Sequence, residues 1–228
     1  MRALLLSLTL LLAAVALPAR AQAALPGLTE GVQYRYIEGG VPYRPLPPGM
    51  VEVAEVFAYW CPHCAHFAPM LDEWKRDLPP SARLVLVPAV FGRDDAFSRA
   101  FFAAESARAL PVLHRRLFAA VHETGELTRT ANTAQIEAFA TKVPGVDAPA
   151  FKAALHDDAT LLPKLRHAYE FGARSGIEGT PALVVAGRYL VLGNSYEALL
   201  ANARRIVDAL APKRPGKPAR PAATPKSP

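Results

Sequence analysis

The sequence has very little cysteine: two residues in a chain of 228, Cys61 and Cys64, which lie three positions apart. A structural zinc site needs four ligands, so two sulfur atoms alone do not make one. Covalent haem attachment requires a histidine directly after the second cysteine, and Ala65 occupies that position. The sequence also lacks a flavin or nicotinamide fingerprint, so no cofactor is expected. All the thiol chemistry of the chain is therefore placed in one Cys-x-x-Cys element.

Long apolar runs are scarce as well, and the one at residues 3–17 is shorter than the ~20 residues that a membrane span needs. Small residues follow at positions 19–23 and offer cleavage after Ala21 or Ala23. This pattern predicts a secretory signal peptide over residues 1–23, with an uncleaved membrane anchor as the alternative. Export to an oxidising compartment is consistent with a disulfide between the two cysteines.

Acidic residues are absent from both ends of the chain, and their absence explains the net charge of +6. Residues 1–23 and 211–228 together hold seven of the 26 Lys and Arg residues, which leaves 19 basic against 20 acidic residues between them. The charge therefore gives no reason to expect nucleic-acid binding. Residues 211–228 are rich in Pro, Ala and Lys, so they are expected to form a disordered tail.

The first part of the remaining chain, residues 24–95, alternates between strand and helix patterns. The predicted strands lie at residues 32–37, 51–59 and 83–87. Between the last two, a helix is predicted from the cysteines to about residue 76. A strand, a helix and a strand with this crossover length form a βαβ unit, whose two strands run parallel.

From residue 96 to residue 172 the pattern is helical throughout. The predicted helices cover residues 96–109, 111–122, 133–142 with Thr133 as N-cap, a segment that starts at Asp147 or Ala148, and residues 158–174. Residues 173–210 then predict a hairpin, with strands at 182–185 and 189–192, and a closing helix capped by Asn194 or Ser195.

The proline between the cysteines indicates that they stand at the start of a helix. Proline is favoured at the first helical position, which makes Pro62 that position and Cys61 the N-cap. A sulfur there faces the free N–H groups of the first turn and the positive end of the helix dipole, so its thiolate is stabilised. A protonated His63 adds a second positive charge. Cys64 is expected to be buried, so that Cys61 attacks and Cys64 resolves.

The residues alone leave three kinds of site open for this pair. The first is a redox couple that uses the stabilised thiolate. The second is a structural disulfide, which would close a very short loop and stabilise the fold little. The third is a copper or zinc site, in which His63 and His66 would complete a Cys/His cluster.

The run from Glu55 to Cys64 resembles the active-site segment of the DsbA-type thiol:disulfide oxidoreductases of the bacterial periplasm, and the Pro-His pair is the most specific mark of that family. A second mark is Gly179-Thr180-Pro181, which is similar to the loop that places a cis-proline opposite the cysteines in thioredoxin folds. The resemblance covers about residues 31–210. It implies an α/β, thioredoxin-like fold with a helical domain inserted between the βαβ and ββα halves.

The resemblance also implies roles for individual residues. Glu55 stands in an apolar strand six residues before Cys61, where burial would raise its pKa, and the family's corresponding acid moves protons to or from the second cysteine. The alternative is a strand end that simply exposes this carboxylate. A cis bond before Pro181 turns the backbone of Thr180 toward the thiols, where it can pair with an extended substrate chain. The candidate catalytic residues are thus Cys61, Pro62, His63, Cys64 and Glu55, the candidate substrate-binding residues are Thr180 and Pro181, and no metal is expected.

The function implied by the resemblance is the donation of the Cys61–Cys64 disulfide to exported proteins. Its partners would be unfolded or folding proteins with free cysteines and a quinone-linked membrane reoxidant of the DsbB type, and the enzyme would be a periplasmic monomer. An isomerase is the first competing hypothesis, although fewer than 30 residues separate the cleavage site from the core strand, too few for the dimerisation domain of such enzymes. A reductase is the second competing hypothesis, and a periplasmic copper- or zinc-binding protein is the third.

Aromatic residues and histidines outside the motif give weaker signals. Tyr59 and Trp60 flank the cysteines and are expected either to form an apolar rim for substrates or to be ordinary aromatic residues. The remaining histidines are expected to be solvated or hydrogen-bonded without a role in the site; they are His66, His114, His122, His156 and His167.

Overall fold

The computed structural model describes residues 24–211, so the predicted signal peptide and all but the first residue of the predicted tail lie outside the described residues. Within this range the chain forms five strands and seven α-helices. The strands are β1 (Tyr34–Tyr36), β2 (Val51–Phe57), β3 (Ala82–Pro88), β4 (Ala182–Val185) and β5 (Tyr189–Val191). The helices are α1 (Pro62–Trp74), α2 (Ala96–Ser106), α3 (Leu110–His122), α4 (Thr133–Ala140), α5 (Ala148–Leu155), α6 (Asp158–Arg174) and α7 (Tyr196–Leu210).

The five strands form one mixed sheet in the order β1-β5-β4-β2-β3. The predicted βαβ unit is confirmed, because β2 and β3 pair in parallel. On its other side β2 pairs antiparallel with β4. All seven residues of β2 are buried, as its nearly continuous apolar sequence predicts for a central strand.

The predicted helical insertion is confirmed as the block α2 to α6, which lies between β3 and β4 in the chain. The two strands that it joins lie on opposite sides of β2. Phe57 at the end of β2 pairs with Pro88, the last residue of β3, and Val56 pairs with Ala182, the first residue of β4. The insertion therefore leaves the sheet and returns to it beside the end of β2 that leads to the cysteines.

The helices begin close to the predicted caps, with one correction. Asn132, not Thr133, is the N-cap of α4, because its side chain accepts a hydrogen bond from the Gln135 N–H (3.0 Å) while the Gln135 side chain accepts one from the Asn132 N–H (2.9 Å). This reciprocal capping box satisfies two otherwise free donors of the first turn. Asp147 and Ser195 cap α5 and α7, as predicted.

Three strands are shorter than predicted. β1 has three residues where six were expected, β2 ends at Phe57 rather than at residue 59, and β5 ends at Val191 rather than at residue 192. The physical reason for the second difference is a turn, in which the Cys61 N–H donates a hydrogen bond to the Ala58 carbonyl (3.1 Å). The chain must leave the sheet there in order to begin α1.

Two apolar clusters hold the layers together. In one, Val53 of the sheet packs with Phe67 of α1 and Ile206 of α7. In the other, Phe57 contacts aromatic residues of the insertion, including Phe101 at a centroid distance of 5.6 Å. The second cluster contains the end of β2 and both cysteines, whereas the first contains Val51 and Val53 from the beginning of the strand. Across residues 24–211, no helix has the length and apolar character that would let it cross a membrane.

Candidate active site

Cys61 is the N-cap of α1, and Pro62 occupies the first helical position, as predicted. The backbone of Cys61 is extended, with φ −81° and ψ 118°, and its carbonyl accepts a hydrogen bond from the Ala65 N–H (3.1 Å). Proline removes one of the four free N–H groups of the first turn. The helix therefore presents its positive N-terminal end next to this sulfur.

Cys64 lies one turn into α1 and is fully buried, whereas Cys61 is 5% exposed. Both cysteines are free thiols. Burial, the largest cause, raises the pKa of the Cys64 thiol, and the charges of Cys61 and Glu55 raise it further against hydrogen bonds from Thr180 and Ala58. A thiolate is therefore strongly disfavoured on Cys64.

The Gly-Thr-Pro segment faces the cysteines from the start of β4. The Thr180–Pro181 peptide bond is cis, as the resemblance predicts. The Cys61 Sγ donates a hydrogen bond to the Thr180 carbonyl oxygen at 3.4 Å, although 119 residues separate the two in the chain. Beyond Pro181, a cavity of about 720 Å³ extends along β5 toward the start of α7 and is lined by Leu190 and Tyr196 among others.

Glu55 is 2% exposed, so the hypothesis of an exposed strand end is wrong. Burial raises its pKa to about 8, with a smaller contribution in the same direction from the charge of Asp72. The charge of Glu55 is also one of the smaller causes that raise the Cys64 pKa. The site therefore holds two buried groups, Glu55 and Cys64, that both resist losing a proton.

A cavity of about 330 Å³ adjoins Glu55 and leads outward between α1 and α3. At its rim, Asp72 accepts hydrogen bonds from Lys75 and from Arg115 Nη1 (2.6 Å). Burial opposes the charge of Asp72, but these two cations outweigh it and lower the pKa of that carboxyl. The buried acid therefore adjoins a largely apolar cavity that has charged groups at its rim.

His114 lines the same cavity and was not singled out by the sequence. Its Nδ1 lies 2.8 Å from the hydroxyl of Tyr59, and burial lowers its pKa to about 4, so the ring is neutral at physiological pH. The histidine reaches the cavity from α3, 55 residues beyond Tyr59 in the chain. Only the period of α3, which turns Leu113 and Leu117 to the core, could have indicated that His114 lies near the same face.

His63 is exposed at the start of α1, and its Nδ1 lies 3.0 Å from the hydroxyl of Tyr196. Tyr196 is the first residue of α7, so this contact joins the N-terminal ends of two helices. Burial raises the pKa of Tyr196, and the charges of Cys61 and Cys64 raise it further. Sequence reasoning missed Tyr196, because 133 residues separate it from His63.

Glu52, the other acidic residue of β2, has a structural role, unlike Glu55. It is 1% exposed, and its two oxygens accept hydrogen bonds from the backbone N–H groups of Tyr43 (2.6 Å) and Arg44 (2.7 Å). It thus fixes the proline-rich loop that precedes β2. Glu52 and Glu55 are three positions apart on β2, so strand alternation places them on opposite faces of the sheet, and their different partners follow from this.

The aromatic residues that flank the motif differ from each other. Tyr59 is 1% exposed, so of the two alternatives expected for it the substrate rim is excluded and the ordinary core residue holds. Its side chain is turned into the core by the turn that follows β2, where it packs on Phe118. Trp60 is partly exposed and contacts Phe91 at a centroid distance of 5.2 Å.

Four histidines outside the motif are hydrogen-bonded, in line with the sequence expectation. Besides His114, the Nε2 atom of His122 lies 2.7 Å from the Tyr59 carbonyl oxygen, and that of His167 lies 2.8 Å from the Tyr43 carbonyl oxygen. His156 contacts Glu137. Among residues 24–211, no group of three or more His, Cys, Asp and Glu side chains is arranged to hold a metal ion.

Comparisons with known proteins agree with this geometry. A family model described as Thioredoxin matches residues 47–202. A thiol:disulfide interchange protein DsbA from Bordetella pertussis is 33% identical over 206 residues, which are 89% of this chain and 94% of that protein. One from Pseudomonas syringae pv. tomato is 31% identical over 170 residues, which are 74% of this chain and 76% of that protein.

Among solved structures, oxidoreductase DsbA from Xylella fastidiosa is similar, with a TM-score of 0.74 and 34% identity over 81% of this chain and 97% of that one. DsbA from Pseudomonas aeruginosa is similar with a TM-score of 0.70 and 27% identity, over 79% of this chain and 93% of that one. The predicted thioredoxin-like fold with a helical insertion is thereby confirmed. The chain belongs to the DsbA family of thiol:disulfide interchange proteins, and it is a thiol:disulfide oxidoreductase.

Proposed function

We propose that this oxidoreductase works as an oxidant, donating the Cys61–Cys64 disulfide to exported proteins with free thiols. The observation that supports it most strongly is the asymmetry of the two sulfurs. Cys61 caps α1 beside its positive end, and Cys64 is fully buried behind it. A substrate can approach only the first sulfur, and the second is kept for the resolving step.

In the proposed reaction a substrate thiolate attacks Cys61 Sγ, and the bond between Cys61 and Cys64 breaks. The Cys64 sulfur leaves with the electron pair and takes a proton, because its burial disfavours the thiolate. A second substrate thiolate then attacks the substrate sulfur of the mixed disulfide and displaces Cys61. Two substrate thiols become one disulfide, and the enzyme leaves with both of its cysteines reduced.

Glu55 is the proposed source of the proton for Cys64. Its pKa of about 8 keeps it protonated at neutral pH, so it can donate to a sulfur that leaves beside it and recover a proton afterwards. The cavity between α1 and α3 supplies the path for this recovery, with Asp72 and Arg115 at its rim. Neutral His114 lines that path and does not compete for the proton.

The oxidising direction follows from electrostatics. The N-terminal end of α1 and the nearby His63 stabilise a Cys61 thiolate, which exists only in the reduced enzyme. Stabilising the reduced form makes the disulfide a stronger oxidant. The N-terminal end of α1 thus both positions the nucleophile and favours electron flow from the substrate to the enzyme.

Thr180 and Pro181 are the proposed docking point for the substrate backbone. The carbonyl of Thr180 already faces Cys61 at hydrogen-bond distance from the sulfur. An extended chain that pairs with this residue would place its own cysteine over Cys61. We further propose that the enzyme acts in the periplasm as a monomer and is reoxidised by a quinone-linked membrane protein of the DsbB type.

The test is the reduction potential of residues 24–228, measured by equilibration with glutathione and thiol trapping, together with oxidation of a reduced, unfolded protein. An oxidant should have a potential well above roughly −200 mV and should oxidise the unfolded protein stoichiometrically. A value near the roughly −270 mV of thioredoxin would instead make the protein a reductant.

A further inference from the structure

Tyr196 reaches from the start of α7 to the start of α1, and the proposed reaction gives it no role. Its hydroxyl lies 3.0 Å from His63 Nδ1, and within residues 24–211 this is the only side-chain hydrogen bond that His63 makes. His63 stands between the two cysteines in the first turn of α1. The tyrosine is therefore the hydrogen-bond partner of the one ionisable side chain inside the Cys-x-x-Cys element.

Packing determines where this hydroxyl lies. The Tyr196 ring packs on Phe67 at a centroid distance of 5.4 Å, and Phe67 is fully buried in α1. Phe67 follows His63 by four positions, so the two side chains lie on the same face of α1, one turn apart. On the side of α7, the Ser195 hydroxyl caps the helix by accepting a hydrogen bond from the Ala198 N–H (3.1 Å). The tyrosine is thus held at its ring and at its backbone.

His63, in contrast, is exposed and has no packing that would order its ring. An exposed charge acts weakly on its neighbours, because water and salt screen it and because a fixed geometry costs side-chain entropy. A partner that already lies in place reduces that entropic cost, since only the histidine has to be ordered. The fixed hydroxyl of Tyr196 is such a partner.

A phenol hydroxyl suits both protonation states of a histidine, because it can donate and accept hydrogen bonds. It donates to Nδ1 of a neutral imidazole, and its oxygen accepts from the Nδ1–H of an imidazolium. Burial and, to a smaller extent, the charges of the two cysteines raise the pKa of Tyr196, so the phenol keeps its proton at neutral pH. The contact between Tyr196 and His63 therefore persists whether or not the histidine is charged.

Other charges lie near this contact. Three charged side chains line the cavity beside Tyr196; they are Arg35, Glu178 and Glu197. Arg35 Nη2 donates a hydrogen bond to the Gly176 carbonyl oxygen (2.8 Å). In the described part of the chain, neither carboxylate forms an ion pair with His63, so the tyrosine hydroxyl rather than an acid orders the ring.

We propose that Tyr196 is a positioning residue of the redox centre: its hydroxyl holds the His63 ring where the charge of that ring stabilises the Cys61 thiolate, and so it makes the disulfide a stronger oxidant. This inference rests on the proposed function, because it assumes that His63 acts on the Cys61 thiolate. The oxidised enzyme has no thiolate, so the tyrosine stabilises the reduced form and raises the reduction potential.

The experiment measures the equilibrium constant with glutathione, in which two glutathione thiols reduce the enzyme disulfide and leave as one glutathione disulfide. An equilibrium is needed because Tyr196 also lines the cavity beside Pro181, where a substitution can alter the rate of peptide oxidation through binding alone. Tyr196→Phe keeps the ring on Phe67 and removes only the hydroxyl. The constant for reduction of the enzyme should fall about threefold, the effect of one modest hydrogen bond. Since tenfold corresponds to ~30 mV for this two-electron couple, the potential should fall by ~14 mV.

A double-mutant cycle shows whether the hydroxyl acts through the histidine. In the His63→Ala background, Tyr196→Phe should leave the equilibrium constant unchanged, because the ring that it positions is gone. Tyr169→Phe, which removes the hydroxyl of an exposed tyrosine on α6, is the matched control and should also change nothing. An equal fall in both backgrounds would mean that the hydroxyl acts on the sulfurs directly, and it would overturn the proposal.

The remaining outcomes separate this inference from the proposed function. An oxidising wild type whose Tyr196→Phe variant has the same equilibrium constant contradicts the inference and leaves the proposed function intact. A wild type with a potential near that of thioredoxin contradicts the proposed function, whereas the coupling of Tyr196 to His63 is still read from the ratios between variants. Urea unfolding of the oxidised proteins should give equal stabilities for the wild type and Tyr196→Phe. A less stable variant would attribute its lower potential to general damage and so overturn the inference.

Discussion

At the scale of single residues, the site depends on which side chains are stable in the charged form and which keep a proton. Cys61 meets the end of a helix, Cys64 meets apolar surroundings, and Glu55 holds a proton that an exposed carboxyl would have lost. The burial of Glu55 thus favours function but lowers stability. It prepares Glu55 to donate a proton, and it places a group in the core that resists becoming charged.

Replacing Glu55 by glutamine should stabilise the protein at alkaline pH and slow its chemistry. The folded state keeps a proton on Glu55 up to about pH 8, whereas the unfolded chain releases it near the ordinary value of 4.5. The free energy of unfolding of the wild type therefore falls as the pH rises through this window. Each unit of pKa difference corresponds to ~1.36 kcal/mol. The free energy of unfolding of Glu55→Gln should therefore exceed that of the wild type by several kcal/mol at pH 8 and by little at pH 4.5.

Urea unfolding of the reduced proteins across this pH range measures the effect, and Glu73→Gln, an exposed change on α1, is the control. Thiol oxidation by Glu55→Gln should be slower than by the wild type, with the fold intact. If the free energy of unfolding depended on pH in the same way for the wild type and for Glu55→Gln, Glu55 would ionise freely in the folded state and the account would be wrong.

Replacing His63 by alanine should make the disulfide a weaker oxidant. The change removes a cation or hydrogen-bond donor beside the Cys61 thiolate, so the reduced enzyme loses stabilisation. A loss of about 1 kcal/mol corresponds to a potential roughly 20 mV lower, because 30 mV is ~1.4 kcal/mol for this two-electron couple. Glutathione equilibration measures it. His66→Ala, an exposed change one turn further along α1, should leave the potential in place, and an equal shift in both variants would contradict the account.

At the scale of elements, helix ends do most of the positioning. Two of them meet at the site, since His63 at the start of α1 contacts Tyr196 at the start of α7. A third lies at the loop between β3 and α2. Asp95 caps α2 by accepting from the Ser98 N–H (3.0 Å), and its second oxygen accepts from the Phe91 N–H (3.1 Å). The same carboxylate therefore starts a helix and holds the loop that presents Phe91.

Asp95→Ala should lower the free energy of unfolding by about 1–2 kcal/mol, the usual cost of a lost N-cap. It should also loosen the loop that precedes α2, because the Phe91 N–H loses its acceptor. The matched change is Asn132→Ala at the cap of α4, which should destabilise the protein similarly without loosening that loop. Denaturant unfolding measures the stability of both variants, and amide hydrogen exchange at Phe91 measures the loop. Equal exchange rates at Phe91 in the two variants would contradict the role given to Asp95 in the loop.

At the scale of the whole molecule, the redox state and the stability of the fold are linked. The N-terminal end of α1 stabilises a thiolate only when the helix is formed, so folding and reduction favour each other. A disulfide normally stabilises a protein by restricting its unfolded state, but this one closes a very short loop and contributes little that way. The stabilisation of the reduced protein by the helix end therefore exceeds the stabilisation of the oxidised protein by the disulfide.

The reduced protein should accordingly unfold at a higher denaturant concentration than the oxidised one. The expected difference is ~1.4 kcal/mol for each 30 mV by which the folded protein is more oxidising than its unfolded chain. Unfolding curves with and without a reductant measure it, and a Cys64→Ala variant, which cannot form the disulfide, should give the same curve in both. A more stable oxidised form would contradict the proposed direction of electron flow.

Local signals predicted most of this architecture. Pro62 after Cys61 indicated the helix start, the apolar run of β2 indicated a central strand, and Glu55 could be placed in its buried interior. The missing parts all depend on contacts between distant segments. His114 and Tyr196 reach the site across 55 and 133 residues, and neither stands in a motif of its own. The choice between rim and core for Tyr59 was left open for a related reason, since its packing on Phe118 of α3 decides it.

The two connections of the helical insertion have a consequence for how such proteins diversify. Pro88 and Ala182 both pair with the last residues of β2, so the whole block from α2 to α6 is attached at one place beside the cysteines. Its length and surface can change without displacing the strand that leads to Cys61. A lineage can thus inherit its chemistry unaltered while it acquires new clients, and a protein engineer can exchange this block to redirect the enzyme.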